Sequence, residues 1–387
     1  MSTTAGSTQS SSSPQWSDLP DDLLGLVRLR LACPRDRVRV AAVCKGWRAA
    51  ASLLPRTPAR PLLLVSPRRV RCNGTKRLCG PDDSWVVRVP DKAEGKWFVG
   101  SHEGGWIAAV DCSKLVIVNI FSCAEVEASP IRSCNLDVDD IGTTSLAKII
   151  FSEAPTSSSC ILAAIAYQRY HIALCKVGRH QSGWTVKSLG EKFIVDIAFY
   201  KGELYGLVYP NEELIKFKID MKAEGTPVIT SCHPLAIERR HGPQVSEAHL
   251  IELHGKPSMA IDCWWLPNRE SFFKVFTLVD TDNDKAYKYK WVEVLNFGDH
   301  ALFLGVNWSK AVHVTADGHH GLERNHVYYS QENLSPTKKL PDDVVYLVTI
   351  DDDGQMYCRE DQSAGDGVER TGSSRKHRPM WVCPPLL

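Results

Sequence analysis

The sequence lacks any long hydrophobic run, and this absence argues against a membrane role. Its longest apolar runs, such as Leu62–Val65 and Ile161–Ala166, fall far short of the roughly 20 residues that a membrane-spanning helix needs. The first thirteen residues are rich in Ser and Thr and contain no apolar stretch like that of a secretory signal. We therefore expect a soluble protein inside the cell, in the nucleus, the cytoplasm or both, with no membrane partner.

Paired cysteines and an excess of charge are also missing. None of the thirteen cysteines stands in a Cys-x-x-Cys pair, so the sequence supports neither a zinc ribbon nor a dithiol redox motif. An odd number of cysteines without a regular framework is typical of a reducing compartment. The formal net charge is only +1, so no overall attraction to nucleic acid is expected.

Charge is uneven along the chain even though its total is small. Fourteen Lys and Arg residues but a single acid, Asp36, lie between Arg28 and Gly80. Two interpretations stay open for this stretch: a set of solvated faces, or a basic surface that binds an acidic partner.

The common motifs of catalysis and cofactor binding are absent as well. No Gly-x-Ser-x-Gly elbow, phosphate-binding loop or dinucleotide fingerprint occurs. Residues 280–284 begin like a calcium loop, but Lys285 and Trp291 stand where such a loop needs Gly and Glu. The histidines near residue 320 have no Cys or carboxylate at ligand spacing, which favours ordinary loop positions. We predict no catalytic residue, no cofactor and no metal site.

Periodic apolar residues near the N-terminus predict short amphipathic helices. Leu24, Val27 and Leu31 recur at a spacing of three and then four residues. A second periodic segment extends from Val40 to Leu54, where Pro55 ends it. So small a helical unit cannot bury both of its faces alone, so it needs a neighbour or a partner.

Beyond Pro61 the pattern changes to short β-branched and aromatic segments separated by turn residues, which predicts a mainly β domain. The periodicity is compatible with a sandwich, a barrel or a propeller. Turn-then-strand signals at Gly202, Gly255 and Gly298 are spaced about 40 to 55 residues apart, near the length of a four-stranded propeller blade.

Two N-terminal segments together resemble an F-box. The first is Trp16-Ser17-Asp18-Leu19-Pro20-Asp21-Asp22-Leu23-Leu24, and the second, about 20 residues later, contains Val43-Cys44-Lys45-Gly46-Trp47-Arg48. The family pattern is Leu-Pro with acids and leucines, followed by a Val-Cys-x-x-Trp-Arg stretch. The resemblance implies a three-helix motif that docks a Skp-type adaptor and, through it, a cullin.

In this interpretation, apolar side chains at helical spacing lie against helices of the adaptor. Val43 and Trp47 could equally form the core of the helical unit itself. The residues predicted to bind the adaptor are Leu19, Pro20, Leu23, Leu24, Val27, Leu31, Val38, Val43, Cys44 and Trp47.

The rest of the chain resembles the plant F-box proteins that carry a KIB-type β-propeller, also called domain of unknown function 295. The segments that carry the resemblance are Gly100–Phe121, Tyr200–Tyr205 and Gly298–Gly305. Ile120 stands where that family usually has Pro. The resemblance implies a propeller that binds a target protein.

We therefore expect a mainly β protein with a small N-terminal α unit. The predicted organisation is a disordered tail (1–15), an F-box (16–56), a β-propeller-like target-binding domain (62–360), a flexible polar segment (361–379) and a C-terminal segment that packs back on the β-domain (380–387). The predicted function is that of a non-catalytic substrate receptor of a Skp–cullin–F-box ubiquitin ligase with an unknown target. Alternatives are a binding module outside an active ligase and, less favoured, a propeller hydrolase.

Overall fold

The computed structural model describes most of the propeller and the helical parts of the N-terminus. The described residues are 16, 19–31, 36, 39–40, 43–53, 60–65, 75–79, 84–111, 114–128, 146–166, 169–178, 183–240, 247–265, 270–281, 287–314, 322–330, 346–350, 356–360 and 380–384. The predicted disordered tail and the polar segment 361–379 lie outside them. Two compact units are present, one formed by 1–59 with 386–387 and the other by 60–385.

The described residues of the first unit include the helices α1 (Asp21–Arg30) and α2 (Lys45–Leu53). Residues 36, 39, 40 and 43 between them are also helical. Leu24 of α1 and Ala50 of α2 are buried in this unit. No described helix is long and apolar enough to cross a membrane.

The described residues of the second unit form six β-sheets, so the expectation of a mainly β protein with a small α unit is confirmed. Sheet I contains β26 (Met380–Val382), β1 (Leu62–Val65), β2 (Thr75–Cys79) and β3 (Ser84–Arg88). Sheet II contains β4 (Trp97–His102), β5 (Trp106–Val110), β6 (Leu115–Asn119) and β7 (Glu125–Val126). Sheet III contains β8 (Leu146–Phe151), β9 (Ile161–Ala166), β10 (His171–Lys176) and β11 (Thr185–Ser188).

The remaining three sheets follow in chain order. Sheet IV contains β12 (Phe193–Tyr200), β13 (Glu203–Tyr209), β14 (Glu213–Met221) and β15 (Pro227–Pro234). Sheet V contains β17 (Glu247–Leu253), β18 (Lys256–Trp265), β19 (Glu270–Asp280), β20 (Tyr289–Glu293) and β16 (Ile237–Glu238). Sheet VI contains β22 (Lys310–His313), β21 (His300–Gly305), β23 (His326–Ser330), β24 (Tyr346–Ile350) and β25 (Met356–Glu360).

The six sheets form a closed ring around an axis, as the blades of a propeller do. The innermost strands contact one another in the order β26, β4, β8, β12, β17 and β22, and β21 of sheet VI contacts β26 again. Sheet I joins the two ends of the unit, because β26 pairs antiparallel with β1 through Leu62↔Val382 and Leu64↔Met380. The C-terminal strand therefore closes the ring.

Sheets packed on both faces explain why many strands are continuously apolar rather than alternating. All five residues of β5 are buried, and so are five of the six residues of β9. Small residues such as Ala108 and Ala164 let adjacent sheets approach within one shared core. Because each pair of adjacent sheets shares a core, the sheets stabilise one another although each is small.

Three innermost strands carry a β-bulge at equivalent positions. The register shifts at Val99 in β4, at Ala147 in β8 and at Val195 in β12, so that each bulge follows the last by 48 residues. The residue after each bulge faces the neighbouring sheet. At Gly100 a side chain is excluded, because a Cβ there would lie 2.0 Å from the carbonyl oxygen of Ile149.

The bulges place a buried ion pair between sheets III and IV. Lys148 Nζ lies 2.6 Å from Asp196 Oδ1, and the two side chains are only 6% and 4% exposed. The second oxygen, Asp196 Oδ2, accepts a hydrogen bond of 2.8 Å from the backbone N–H of Leu250 in sheet V. One carboxylate thus holds three sheets together near the axis.

Three further sheet junctions also have polar contacts. The Ser101 hydroxyl donates to the Trp381 carbonyl at 2.6 Å, which joins sheets II and I. Trp381 Nε1 donates to the Leu304 carbonyl at 2.8 Å, which joins sheets I and VI. Ser309 Oγ lies 3.1 Å from His249 Nδ1 between sheets VI and V.

We predict that Asp196→Ala lowers the free energy of unfolding by about 3–5 kcal/mol, because it leaves the Lys148 charge buried without its partner. Urea unfolding of the purified protein measures this change. Asp91→Ala is the matched control, since the Asp91 carboxylate pairs with Arg88 at 3.2 Å on the surface and its loss should cost less than about 1 kcal/mol. Equal effects of the two substitutions would contradict a structural role for the buried pair.

Candidate functional site

The first helix begins at the Leu-Pro pair of the motif. The Pro20 carbonyl accepts the first helical hydrogen bond, from Leu24 N at 3.1 Å. Proline before the first turn sacrifices no donor of the helix, since the first N–H groups have no helical acceptor. Asp21 and Asp22 occupy the first turn, where carboxylates are stabilised by the positive end of the helix dipole.

The backbone of Trp16 ties the start of the motif to α2. Its carbonyl accepts hydrogen bonds from Leu19 N at 3.4 Å and from the Trp47 indole Nε1 at 3.1 Å. Trp47 is thereby oriented by a residue 31 positions earlier. The hydrogen bond between Trp16 and Trp47 therefore depends on the number of residues that separate the two halves of the motif.

Cys44 caps the second helix. Its carbonyl accepts from Arg48 N at 3.1 Å, and its Sγ accepts from Trp47 N at 3.4 Å. A side-chain acceptor at this position satisfies one of the free N–H groups at a helix start. The Cys of the motif thus fixes where α2 begins.

The two sides of α1 differ sharply in exposure. Leu24 is 3% exposed, whereas Leu23, Leu26 and Val27 are 47%, 53% and 42% exposed. These three residues, which we call the α1 stripe, lie on one face because they are three and four positions apart. Val43 and Trp16 are further exposed apolar side chains, at 59% and 78%.

The residues predicted to bind the adaptor are therefore placed differently from one another. Pro20, Leu23, Val27 and Val43 are exposed; Leu19, Leu31, Cys44 and Trp47 are partly buried; Leu24 is buried; and Val38 lies outside the described residues. Trp16 and Leu26 were not among the predicted residues although both are exposed. The sequence offered a signal for each: Trp16 is the aromatic residue that opens the motif, and Leu26 stands three positions after Leu23.

The exposed apolar side chains of the helical unit are suited to binding another protein, since they carry no group that reacts. Exposed aliphatic and aromatic side chains on a helix offer area that a partner can remove from water, and each fully buried anchor can contribute about 2 kcal/mol or more. In the described part of the chain, no group of three or more His, Cys, Asp or Glu is arranged to hold a metal ion.

Within the propeller, a serine and a histidine lie close together at the axis. Ser309 Oγ is 3.1 Å from His249 Nδ1, and the Ser309 hydroxyl donates to the Gly305 carbonyl at 3.0 Å. Burial lowers the pKa of the His249 imidazole, which favours the neutral ring.

This pair differs from a nucleophile with its general base. In such a site the base takes the hydroxyl proton and a third group orients the base through its other nitrogen. Among the described residues, nothing hydrogen-bonds His249 Nε2, and the histidine is only 2% exposed. The geometry therefore fits a contact between sheets V and VI.

A small helical unit with an exposed apolar stripe, followed by a closed ring of six sheets, defines a propeller protein with an N-terminal helical motif. The KIB1-4 beta-propeller family matches residues 78–362, and an F-box-like domain matches residues 16–56. The propeller match covers well over half of the chain, and the chain belongs to the KIB1-4 β-propeller family. The resemblance noted in the sequence is thus confirmed for both parts.

Two proteins of Arabidopsis thaliana are similar along nearly the whole chain. The protein At3g25750 is 24% identical, with 90% of this chain and 95% of that protein covered. The F-box protein At2g26160 is also 24% identical, with 82% of this chain and 95% of that protein covered. Both are named as F-box proteins.

We predict that substitutions of two adjacent leucines of α1 differ strongly in their effect on the stability of the helical unit. Leu24→Ala should destabilise the helical unit by about 2–5 kcal/mol, because it removes a buried side chain. Leu23→Ala should change its stability by less than about 1 kcal/mol, because that side chain is exposed. Hydrogen exchange of the α1 amides measures both, and faster exchange in Leu23→Ala than in Leu24→Ala would show that the two faces are assigned wrongly.

Proposed function

We propose that this protein is the substrate-recognition subunit of a Skp–cullin–F-box ubiquitin ligase. The observation that carries the proposal is the F-box-like match at residues 16–56 together with the exposure of the α1 stripe within it. A helical unit that leaves aliphatic side chains in water is stabilised when a partner covers them. The partner is a Skp-type adaptor, and the adaptor brings the cullin.

The docking surface consists of the exposed and partly buried residues of the motif. Leu19 and Pro20 fix where α1 starts, and the α1 stripe offers an apolar face at helical spacing, as helix-in-groove interfaces do. Leu24 acts indirectly, since its buried side chain holds α1 against the rest of the helical unit. Cys44 acts in the same way through its cap on α2.

The mechanism is tethering. A target held by the propeller and a charged ubiquitin-conjugating enzyme held through the cullin share one assembly, which raises the effective concentration of a target lysine near the thioester. The reacting groups belong to other proteins, so no residue of this chain is expected to be catalytic. The chain contributes binding and orientation, and it needs no cofactor or metal.

Two alternatives have specific tests. A binding module outside an active ligase would capture the adaptor but no cullin. A propeller hydrolase would turn over a small substrate without partners.

The decisive experiment is capture of a purified plant Skp-type adaptor by the full chain. We predict that Leu19→Ala combined with Pro20→Ala lowers adaptor affinity about a thousandfold, since two anchors of about 2 kcal/mol each are lost. The matched control is Pro234→Ala combined with Leu235→Ala, an adjacent pair in the propeller unit whose proline is exposed and whose leucine is partly buried, as in the motif; it should leave adaptor affinity unchanged.

Unchanged adaptor capture by the Leu19/Pro20 variant, with α1 amides still protected, would reject the docking proposal. Adding the cullin to the same assay separates the ligase from the isolated binding module. Co-purification of chain, adaptor and cullin in one complex is the expected result, and a complex that excludes the cullin favours the alternative.

A further inference from the structure

One end of the propeller carries a cluster of aromatic rings around an arginine. Phe193 begins β12, and it pairs in register with Tyr209 at the end of β13. The Phe193 ring lies 5.8 Å from the Tyr170 ring and 6.4 Å from the Tyr209 ring, in both cases edge to face. Tyr170 and Tyr209 are each 37% exposed, which is high for large aromatic side chains.

Arg169 is held beside the Phe193 ring of this cluster. Its Cζ lies 5.8 Å from the centre of the Phe193 ring, and its Nη1 donates to the Val195 carbonyl at 2.5 Å. The local backbone is also fixed, because the Arg169 carbonyl accepts from Ile194 N at 2.8 Å and the Tyr170 carbonyl accepts from Leu189 N at 2.9 Å. The guanidinium is therefore pre-organised and does not sample solvent freely.

The charge of Arg169 is not matched by an acid. No carboxylate of the described residues pairs with this guanidinium, although the side chain is partly buried. Glu213 and Glu212, near the end of β13, already pair with other cations: Lys192 Nζ lies 3.1 Å from Glu213 Oε2, and Arg240 Nε lies 2.8 Å from Glu212 Oε2. A partly desolvated cation with unused N–H donors is stabilised by an anion that arrives from outside.

We propose that Arg169, Tyr170, Phe193 and Tyr209, the Arg169 patch, bind an acidic side chain within an extended segment of the target protein. The carboxylate would pair with the free N–H groups of Arg169, and an adjacent apolar residue would pack on the two tyrosine rings. Rigid aromatic rings around an arginine are the composition found where binding energy concentrates in protein interfaces. This inference rests on the proposed receptor function, because it names the chemistry by which the propeller selects a target.

A carboxylate fits the patch better than a phosphoryl group does. A phosphorylated side chain carries up to two negative charges near neutral pH and is usually bound by several cations. Here one guanidinium is available, while Glu191 and Glu213 stand close by in the chain and would repel a dianion. A single charge opposite a single guanidinium leaves no excess negative charge at this end of the propeller.

The test uses the purified full chain and three synthetic peptide libraries. Each library has nine residues with degenerate flanks and one fixed central residue: Glu, Gln or phosphoserine. Fluorescence anisotropy gives an apparent affinity for each. We expect the Glu library to bind at least about tenfold more tightly than the Gln library, as one charge-assisted pair predicts, and no less tightly than the phosphoserine library.

Variants assign that preference to the patch. Arg169→Gln should abolish the difference between the Glu and Gln libraries, and Arg169→Lys should restore only part of it, because Lys lacks the planar fork. Tyr170→Ala should weaken both libraries equally. Lys256→Gln removes one exposed positive charge at the start of β18, at the other end of the sheets, and should leave the preference intact.

Equal binding of the Glu and Gln libraries to the unmodified protein would overturn the inference, as would a preference that persists in Arg169→Gln. Tighter binding of the phosphoserine library would replace the carboxylate with a phosphoryl ligand and reject the proposal as stated. Adaptor binding is measured on the same samples. A flat peptide response with normal adaptor binding rejects the patch alone, whereas peptide selection without adaptor binding rejects the receptor proposal alone.

Discussion

The pairing of β26 with β1 is the constraint on which the propeller depends. A ring of sheets has no stable open form in which every inner face is covered, so the first and last sheets must meet. Here Met380–Val382 supplies the innermost strand of sheet I, and Trp381 then contacts both neighbouring sheets through hydrogen bonds with Ser101 and Leu304. The buried contacts around the axis, including Lys148–Asp196, need the closed ring to hold their sheets together.

The two units use apolar residues in opposite ways. The propeller buries its aliphatic side chains in cores shared between adjacent sheets, which gives a rigid platform for loops and strand ends. The helical unit buries Leu24 but leaves Leu23, Leu26 and Val27 in water. A buried core in one unit and an exposed apolar stripe in the other are what the proposed receptor function requires.

Sequence reasoning reached the fold class and the family because both have local signals. The Leu-Pro and Val-Cys-x-x-Trp-Arg segments lie within 33 residues, and strands and turns are read from neighbouring residues. The number of sheets and the partner of Asp196 could not be predicted, because Lys148 is 48 residues away and meets it only through two bulges. The distinction between Leu23 and Leu24 was missed since it depends on how α1 is rotated against α2. The Arg169 patch had no sequence signal, because its rings come from three separate turns and strand ends.

The most direct test of ring closure is hydrogen exchange of a chain that ends after residue 379, compared with the full chain. If β26 closes the propeller, its removal should raise the exchange rates of amides in β1, β4 and β21, the strands that it pairs with or contacts. Protection of those three strands at the level of the full chain would contradict the account, since the ring would then be held without its C-terminal strand.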